Sequence, residues 1–249
     1  MAERLKLIVA YDGAPFSGWQ SQPNGNGIQD HLEKAFTKIL GESVRVHGAG
    51  RTDAGVHALA QVAHADLPKR RYTAERWTKA LNGLLPLTIR VMRCRFVSGS
   101  FHARFSAKGK IYRYRILNAD VVSPLENGRV WHVREPLDCA TMAAAAKLFI
   151  GRHDFRCFAA NRGAPSDDTT RTMRNIRVRG SGSLISVEFD GEGFLYKMAR
   201  LITGALVEAA SGEASLRDIG HRLTGIDRLN SSSRLVAPAA GLFLIRVRY

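Results

Sequence analysis

The sequence predicts an α+β fold in which short strands alternate with amphipathic helices. Three observations support this. Hydrophobic residues make up 45% of 249 residues, which is enough for a sizeable core, and only 8 residues are proline. Runs with strand character are interleaved with runs of helical periodicity. The second half of the chain repeats the order of the first, although the two halves share no evident sequence identity. We therefore expect two ferredoxin-like βαββαβ units whose sheets are largely antiparallel.

The first half contains four predicted strands and two predicted helices. Ile28, Leu32 and Phe36 recur at helical spacing after a glycine-rich loop, and Pro86 ends the second helix. The strands are expected at residues 5–11, 44–48, 58–65 and 89–97, and the helices at 28–41 and 77–84.

The second half follows the same plan. Asp138 is a candidate N-cap, and Phe194 is expected to begin a long helix. The strands are expected at 110–118, 172–179, 184–189 and 242–248, and the helices at 138–150 and 194–210. The boundary between the halves lies within 98–108, so we predict one unit over 1–104 and the other over 105–249.

The charge of the chain favours a polyanionic partner. Lys and Arg number 37 against 22 Asp and Glu, a formal net charge of +15. A basic surface of this size favours nucleic acid over a merely solvated face, and a membrane surface ranks behind both. The basic residues are spread along the chain rather than gathered in a tail, in runs such as Lys69–Arg71, Arg90–Arg95, Lys108–Arg115 and Arg171–Arg179.

Cysteine usage and the apolar stretches indicate a cytoplasmic protein. Cys94, Cys139 and Cys157 are far apart and form no Cys-x-x-Cys pair, which is typical of reduced thiols. The chain begins directly with a strand pattern, so we expect no signal peptide. Its apolar stretches are too short to span a bilayer, so we expect no membrane association.

The segment Gly50–His57 (GRTDAGVH) is the strongest candidate for chemistry. Its glycines let the backbone turn tightly between two strands and let a ligand approach closely. A carboxylate held there, Asp53, can act as a nucleophile or a base, and a basic neighbour such as Arg51 keeps it ionised. An aspartate between glycines is also a common turn residue, and spacing alone does not decide between the two roles.

A metal site is the rival interpretation of the same region. His47, His57 and His64 lie near Asp53 in the sequence. However, His57 and His64 are an odd number of residues apart, so on one regular strand they face opposite sides. No cysteine or second carboxylate stands at ligand spacing, and we therefore expect no metal.

The Gly50–His57 segment resembles the active-site motif of the tRNA pseudouridine synthase I (TruA) family, and the likeness extends over nearly the whole chain. The other matching segments are Tyr11–Gly13, Phe16–Gln20, Phe101–Ala107, Tyr112–Tyr114, Phe194–Tyr196, Met198–Arg200, Gly204 and Ala239–Leu244. The resemblance implies the pseudouridine synthase fold, with the two units flanking a basic active-site cleft. It also implies an isomerase that converts uridine to pseudouridine without a cofactor.

The resemblance also implies roles for individual residues. Asp53 corresponds to the essential aspartate, Arg200 to the arginine that pairs with it, and Tyr112 to the tyrosine that stacks on the target base. A tyrosine in that place is a possible proton relay. The expected substrate-binding residues are Tyr112, Arg51, His57, Arg104 and Leu242.

The resemblance further implies that the substrate is the anticodon arm of tRNA, at positions 38, 39 and 40, and that the assembly is a homodimer. A flipped uridine would be needed for the chemistry. Two alternatives stay open: a non-catalytic RNA-binding protein built from two RRM-like units, and a pseudouridine synthase directed at another RNA. The second half lacks the aromatic signature of an RRM, which favours the enzyme over the first alternative.

Overall fold

The structure is a computed structural model that describes residues 3–68, 72–160, 168–224 and 235–249. The basic run Lys69–Arg71 lies outside these residues. In chain order the elements are β1 (Glu3–Tyr11), α1 (Ile28–Leu40), β2 (Val46–Gly48), β3 (His57–Leu67), α2 (Ala74–Asn82), β4 (Ile89–Val97), β5 (Gly109–Asn118), β6 (Trp131–Val133), α3 (Cys139–Lys147), β7 (Gly151–Asp154), β8 (Thr170–Ser181), β9 (Leu184–Gly191), α4 (Met198–Ala210), α5 (Leu216–Thr224) and β10 (Leu242–Arg248).

The chain divides into two compact units. The first comprises residues 1–108 together with 243–249, and the second comprises 109–242. Most of the closing strand β10 therefore belongs with the first unit. The division into separate folding units at 1–104 and 105–249 stays a prediction.

The first unit has the element order βαββαβ that the sequence predicts. In its sheet β1 lies between β3 and β4 and is antiparallel to both, while β2 pairs antiparallel with the outer side of β3. The closing strand β10 pairs in parallel with β3, where Phe243 lies opposite His57. The sheet is thus mostly antiparallel.

Alternation along β1 separates a core face from an open face of this sheet. Leu5, Leu7 and Val9 are fully buried and share one face. The helices α1 and α2 supply further core side chains, including the buried Phe36 and Trp77, whose ring centroids are 5.4 Å apart. Burying aliphatic and aromatic side chains of this size stabilises the unit by roughly 1.5–3 kcal/mol each.

The second unit carries an antiparallel sheet in the order β5, β9, β8, β7, with β6 parallel to β5. The helix α3 packs on β8 and on α4. Asp138 caps α3 as predicted, because its carboxylate accepts hydrogen bonds from the amides of Ala140 and Thr141. The α+β class with largely antiparallel sheets is confirmed.

Three expectations for the second half were wrong in detail. The short strands β6 and β7 and the helix α5 were not predicted. The helix expected from Phe194 begins only at Met198, because Lys197 adopts a left-handed conformation with φ of 58° and interrupts it. The helix expected to reach Ile150 ends at Lys147.

Candidate active site

The bend that carries Asp53 connects β2 to β3. The amide of Val56 donates to the carbonyl of Asp53 over 3.1 Å, and Gly55 adopts a φ of 79° that favours glycine. Asp53 is half-buried, whereas Arg51 is exposed. The bend therefore presents a carboxylate at a partly shielded position with a guanidinium two residues away.

A buried polar layer beneath the bend holds its backbone in place. The hydroxyls of Tyr11 and Thr52 are hydrogen-bonded at 2.8 Å, and both side chains are buried. The side-chain amide of Gln61 donates to the carbonyl of Gly50 over 2.8 Å, and the backbone amide of Trp19 donates to the carbonyl of Thr52 over 3.0 Å. The carbonyl groups of Gly50 and Thr52, the residues before and after Arg51, are thus held by residues from other parts of the unit.

Tyr11 stays a neutral phenol in this layer. Its burial raises the pKa of the phenol well above the ordinary value, although its hydrogen bonds to Thr52 and Gln61 oppose the shift. A protonated hydroxyl can donate one hydrogen bond and accept others. Tyr11 therefore acts as a fixed hydrogen-bonding group at neutral pH.

Two glycines allow the segment after β1 to lie directly against the bend. A Cβ atom at Gly13 would lie 2.0 Å from the carbonyl oxygen of Val56, and one at Gly18 would lie 2.5 Å from that of Thr52. Gly18 also has a φ of 91°. Backbone meets backbone here without an intervening side chain, which explains why these positions are glycine. The segments 11–20 and 50–57 form one structural unit.

His57, at the end of the bend, points into the protein. Its exposed fraction is 2%, and its ring is stacked on Phe243 with centroids 4.6 Å apart. The amide of Gly13 donates to its Nδ1 over 3.1 Å, and an Asp12 carboxylate oxygen lies 3.2 Å from the same atom. These contacts anchor the end of the bend, and a direct contact between His57 and a substrate stays a prediction.

Arg104 lies in the same unit, on a turn after β4. It is exposed, and its guanidinium carbon lies 5.7 Å from the ring centroid of Phe105. The first unit thus brings together Arg51, Asp53 and His57 on one bend and carries Arg104 on a separate turn.

The second unit carries the other predicted residues, Tyr112, Arg200 and Leu242. Tyr112, on β5, is 6% exposed and meets Phe194 edge-on with ring centroids 4.8 Å apart. Leu242 is 6% exposed. It follows Gly241, where a Cβ atom would lie 2.6 Å from the ring of Tyr114.

Arg200 lies in the first turn of α4 and is half-buried. Its Nε donates to the carbonyl of Ala237 over 2.7 Å, and the amide of Ala237 donates back to the carbonyl of Arg200 over 3.2 Å. The first of these bonds restricts the orientation of the guanidinium, and the second joins the backbones of the two residues. Tyr196 precedes the first residue of α4, so Tyr196 and Arg200 do not share a helix face, although the helix expected over 194–210 would have contained both.

Sequence reasoning missed the residues that hold the Asp53 bend from beneath. Tyr11 and Gln61 are 41 and 9 residues away from Thr52 in the sequence, so no local spacing links them to the bend. A usable signal was present for Gln61. It is a polar residue within the apolar run of residues 58–63, and a polar side chain buried with such neighbours needs a hydrogen-bond partner. The structure buries it fully.

The residues that the structure describes give no sign of a metal centre or a membrane span. They contain no group of three or more His, Cys, Asp or Glu side chains arranged to hold a metal ion. None of the helices in the described ranges has both the length and the apolar character needed to cross a bilayer.

Comparison with known proteins places these features in a family. A family model described as tRNA pseudouridine synthase matches residues 7–106 and 145–249. The tRNA pseudouridine synthase A of Akkermansia muciniphila is 46% identical over 252 residues, which cover 99% of this chain and 95% of the relative. The enzyme of the same name from Solidesulfovibrio magneticus is also 46% identical and covers 99% of this chain and 91% of the relative.

Solved structures give a more distant likeness. A chain of a Cbf5–Nop10–Gar1 complex is 15% identical with a TM-score of 0.38, and the match covers 96% of this chain and 48% of that one. At this distance the likeness supports no conclusion about function.

Proposed function

This chain belongs to the tRNA pseudouridine synthase family, whose members are isomerases, and we propose that it converts uridines 38, 39 and 40 of the tRNA anticodon arm to pseudouridine. The reaction breaks the N1–C1′ bond of uridine, rotates the uracil and joins C5 to C1′. The proton on C5 is lost and N1 gains one, so the reaction is an isomerisation with no net change in atoms.

The observation that carries the proposal is the Asp53 bend. A half-buried carboxylate lies on a turn whose backbone carbonyls accept bonds from Trp19 and Gln61 and whose Thr52 hydroxyl is bonded to Tyr11. Preorganisation of this kind lets a catalytic group act without first being ordered, which lowers the barrier to reaction. A binding module has no need of a carboxylate fixed in this way.

Asp53 acts in its ionised form in each pathway open to it. The carboxylate adds to the sugar, adds to the base or removes the 2′ proton of the sugar, and each of these steps uses its negative charge. In the proposal the Arg200 guanidinium pairs with this carboxylate and holds its orientation. The bond from Arg200 Nε to the Ala237 carbonyl supports this role, since it limits the rotation of the guanidinium.

Tyr112 and Leu242 complete the proposed site for the base. Stacking of an aromatic ring on a nucleobase contributes about 1–3 kcal/mol. In the proposal Tyr112 stacks on the uracil, and its phenol relays the proton that leaves C5. Leu242 lines the apolar floor of the site. Tyr112 is packed against Phe194, which holds its ring in one orientation.

The basic surface supplies the free energy for exposing the base. Uridine in a stem is stacked and paired, and flipping it outward costs a few kcal/mol. Contacts between phosphates and cations such as Arg51 and Arg104 offset that cost, and recognition then depends on RNA shape more than on sequence. Both arginines are exposed, as phosphate contacts require.

The proposal includes a homodimer that works in the cytoplasm. The location is supported by Cys94, Cys139 and Cys157, which are all free thiols.

The test is to incubate the pure protein with unmodified tRNA without added metal and to map pseudouridine by position. Release of tritium from uridine labelled at C5 reports the rate. The wild type is expected to modify positions 38–40. Asp53→Asn is expected to bind tRNA with unchanged affinity and to lose activity by several orders of magnitude.

Asp120→Asn is the matched control, because Asp120 is an exposed aspartate on a loop of the second unit. Its activity should equal that of the wild type. A normal rate for Asp53→Asn would refute the role of Asp53. Binding of tRNA without any pseudouridine in the wild type would instead identify a non-catalytic RNA-binding protein.

A further inference from the structure

Phe105 is a large aromatic side chain held at the surface of the first unit. Its exposed fraction is 77%. The ring of His102 packs against it, with centroids 4.3 Å apart and planes 32° apart, and the guanidinium carbon of Arg104 lies over it, 5.7 Å from its centroid. One side of the Phe105 ring is thus supported by another ring, while most of its surface is accessible to solvent.

The turn that carries Phe105 is ordered by its own hydrogen bonds. The amides of Arg104 and Phe105 donate to Nδ1 of His102 over 3.1 and 3.3 Å. The amide of Ser106 donates to the carbonyl of His102, and the amide of His102 donates to the Ser106 hydroxyl, each over 2.9 Å. Since the backbone is fixed, the ring is presented without a large ordering cost when a partner binds.

His102 connects this turn to the strands that lead to the Asp53 bend. Its ring lies 4.7 Å from that of His64 on β3 and 5.8 Å from that of His47 on β2. His47 and His64 are directly opposite each other and stacked at 5.0 Å. His47 precedes Asp53 by six residues, so a chain of that length spans at most about 21 Å. The turn and the bend lie within reach of one RNA segment.

The open face of the adjoining sheet is basic. Lys6 lies opposite both His64 and Arg95, and Ile8 lies opposite Arg93. The cations Lys6, Arg93 and Arg95 therefore share one face of the sheet. The strands β1, β3 and β4 contain five Lys or Arg residues and two acids, Glu3 and Asp66. Of those acids, Asp66 is paired with Arg4 at 2.7 Å, and Glu3 belongs to the core face with Leu5. A cationic strip therefore extends from the turn across the sheet.

We propose that Phe105 is a stacking platform for an unpaired nucleobase of the bound RNA, with His102 supporting its ring and Arg104 contacting the adjacent phosphate. The inference rests on the proposed function, since it names a part of the surface that holds the same RNA. A platform of this type combines an aromatic face for the base with cations for the backbone.

Charge distinguishes RNA from a second copy of the chain as the occupant. A lone exposed apolar side chain is ordinary on protein surfaces. Phe105 differs because Arg104 and the cationic strip lie beside it. A second copy with a net charge of +15 would meet this face with repulsion, whereas RNA would neutralise it.

The test compares Phe105→Ala, Phe105→Leu and Phe105→Tyr in the full chain. Equilibrium binding of an unmodified tRNA transcript and steady-state kinetics are measured for each variant. Phe105→Ala is expected to raise the Kd and KM for tRNA roughly tenfold, in line with the loss of one stacked base, while kcat at saturating tRNA is unchanged. Phe105→Tyr should restore wild-type affinity, and Phe105→Leu should not.

Leu87→Ala is the matched control, because Leu87 is a large apolar side chain of the same unit and is 89% exposed. Its affinity for tRNA should equal that of the wild type. Unchanged affinity in Phe105→Ala, or full affinity in Phe105→Leu, would overturn the platform. A change from dimer to monomer in Phe105→Ala, measured by light scattering, would also overturn it and assign the ring to a second copy.

The outcomes separate this inference from the proposed function. Loss of tRNA affinity in Phe105→Ala, in a chain whose wild type forms no pseudouridine, would support the platform and refute the enzyme. Full affinity for tRNA in Phe105→Ala, in a chain whose wild type forms pseudouridine, would refute the platform and support the enzyme.

Discussion

The hydroxyl of Tyr11 lies 2.8 Å from the hydroxyl of Thr52, in the buried layer directly below the Asp53 bend. Tyr11 ends β1 and Thr52 precedes the proposed catalytic residue. This bond therefore connects the end of the central strand to the residue next to Asp53. A group that supports the bend in this way positions Asp53 without touching the substrate. Its effect should appear in kcat more than in KM.

Tyr11→Phe is expected to reduce kcat about tenfold, because the Thr52 hydroxyl loses its partner and the bend becomes less ordered. The free energy of unfolding should fall by roughly 1–2 kcal/mol, the cost of leaving a buried hydroxyl without this bond. Kinetics with tRNA and urea denaturation measure both. Tyr249→Phe is the control, since it removes a 2.7 Å bond from a half-buried phenol to the Ala103 carbonyl. If Tyr11→Phe keeps the wild-type kcat while its free energy of unfolding falls as much as that of Tyr249→Phe, Tyr11 has no positioning role.

Gly18→Ala is expected to damage both stability and activity. A Cβ atom would lie 2.5 Å from the Thr52 carbonyl oxygen, and the φ of 91° is unfavourable for alanine, so the bend must shift. Gly41→Ala is matched for backbone strain, with a φ of 81° and no atom within 4 Å of the new Cβ. Gly41→Ala should cost about 1 kcal/mol and keep full activity. Equal loss of activity in both variants would show that packing against Thr52 is irrelevant.

The sequence predicted the part of the site that depends on local conformation. The glycines of residues 50–55 require a tight turn, and the alternating strands on either side set its ends, so the position of Asp53 on a bend followed directly. The residues that hold the bend from beneath could not be predicted in the same way. Tyr11 lies at the end of a strand pattern that is fully explained by core packing, and its hydroxyl partner is 41 residues away.

The start of α4 shows a second limit of sequence reasoning. Phe194 and Leu195 continue the apolar spacing of the helix, so periodicity alone extends it to residue 194. The left-handed Lys197 interrupts it, and no residue preference announces such a conformation at a lysine. The helix α5 carried a signal that was overlooked. Ser215 and Asp218 exchange hydrogen bonds at its N-terminus, in the spacing of a capping box.

Arg200→Lys tests whether the proposed partner of Asp53 must be a guanidinium. Lysine keeps the charge but has no Nε donor for the Ala237 carbonyl and no planar pair of donors for a carboxylate. We expect kcat to fall by at least tenfold while tRNA affinity changes little. Arg217→Lys, at an exposed position on α5, should behave as the wild type in the same tritium-release assay. Wild-type kcat in Arg200→Lys would show that charge alone is sufficient.

His64 should make the stability of the protein depend on pH. Burial lowers the pKa of its imidazole from 6.5 to about 4, and the positive charges of Arg4, His102 and His47 act in the same direction, while Asp66 opposes them. Between pH 6.5 and 4 the unfolded chain binds a proton that the folded protein does not, so stability is lost as the pH falls through this window. The loss from this group is at most about 3 kcal/mol.

His64→Asn keeps an acceptor for the amide of Ala103, which donates to Nδ1 of His64 over 3.2 Å, but it cannot titrate. Urea denaturation at several pH values should therefore show a shallower decline for His64→Asn than for the wild type between pH 6.5 and 4. Parallel curves for the two proteins would assign the decline to other groups. Above pH 7 the free energies of unfolding of the two proteins should differ by an amount that does not change with pH.

The affinity for tRNA should fall steeply with salt, because each phosphate contact releases counterions. Arg93 and Arg95 are exposed on the open face of the first sheet, on either side of the buried Cys94. If both contact phosphates, Arg93→Gln with Arg95→Gln should reduce the slope of log Kd against log salt by about two.

Arg76→Gln with Lys79→Gln is the control. It removes two exposed cations from α2, which packs against β4, and should leave the slope unchanged. Equal slopes for both double variants would mean that the RNA does not lie on this face, and the Phe105 platform would then lack the cationic surface on which its charge argument depends.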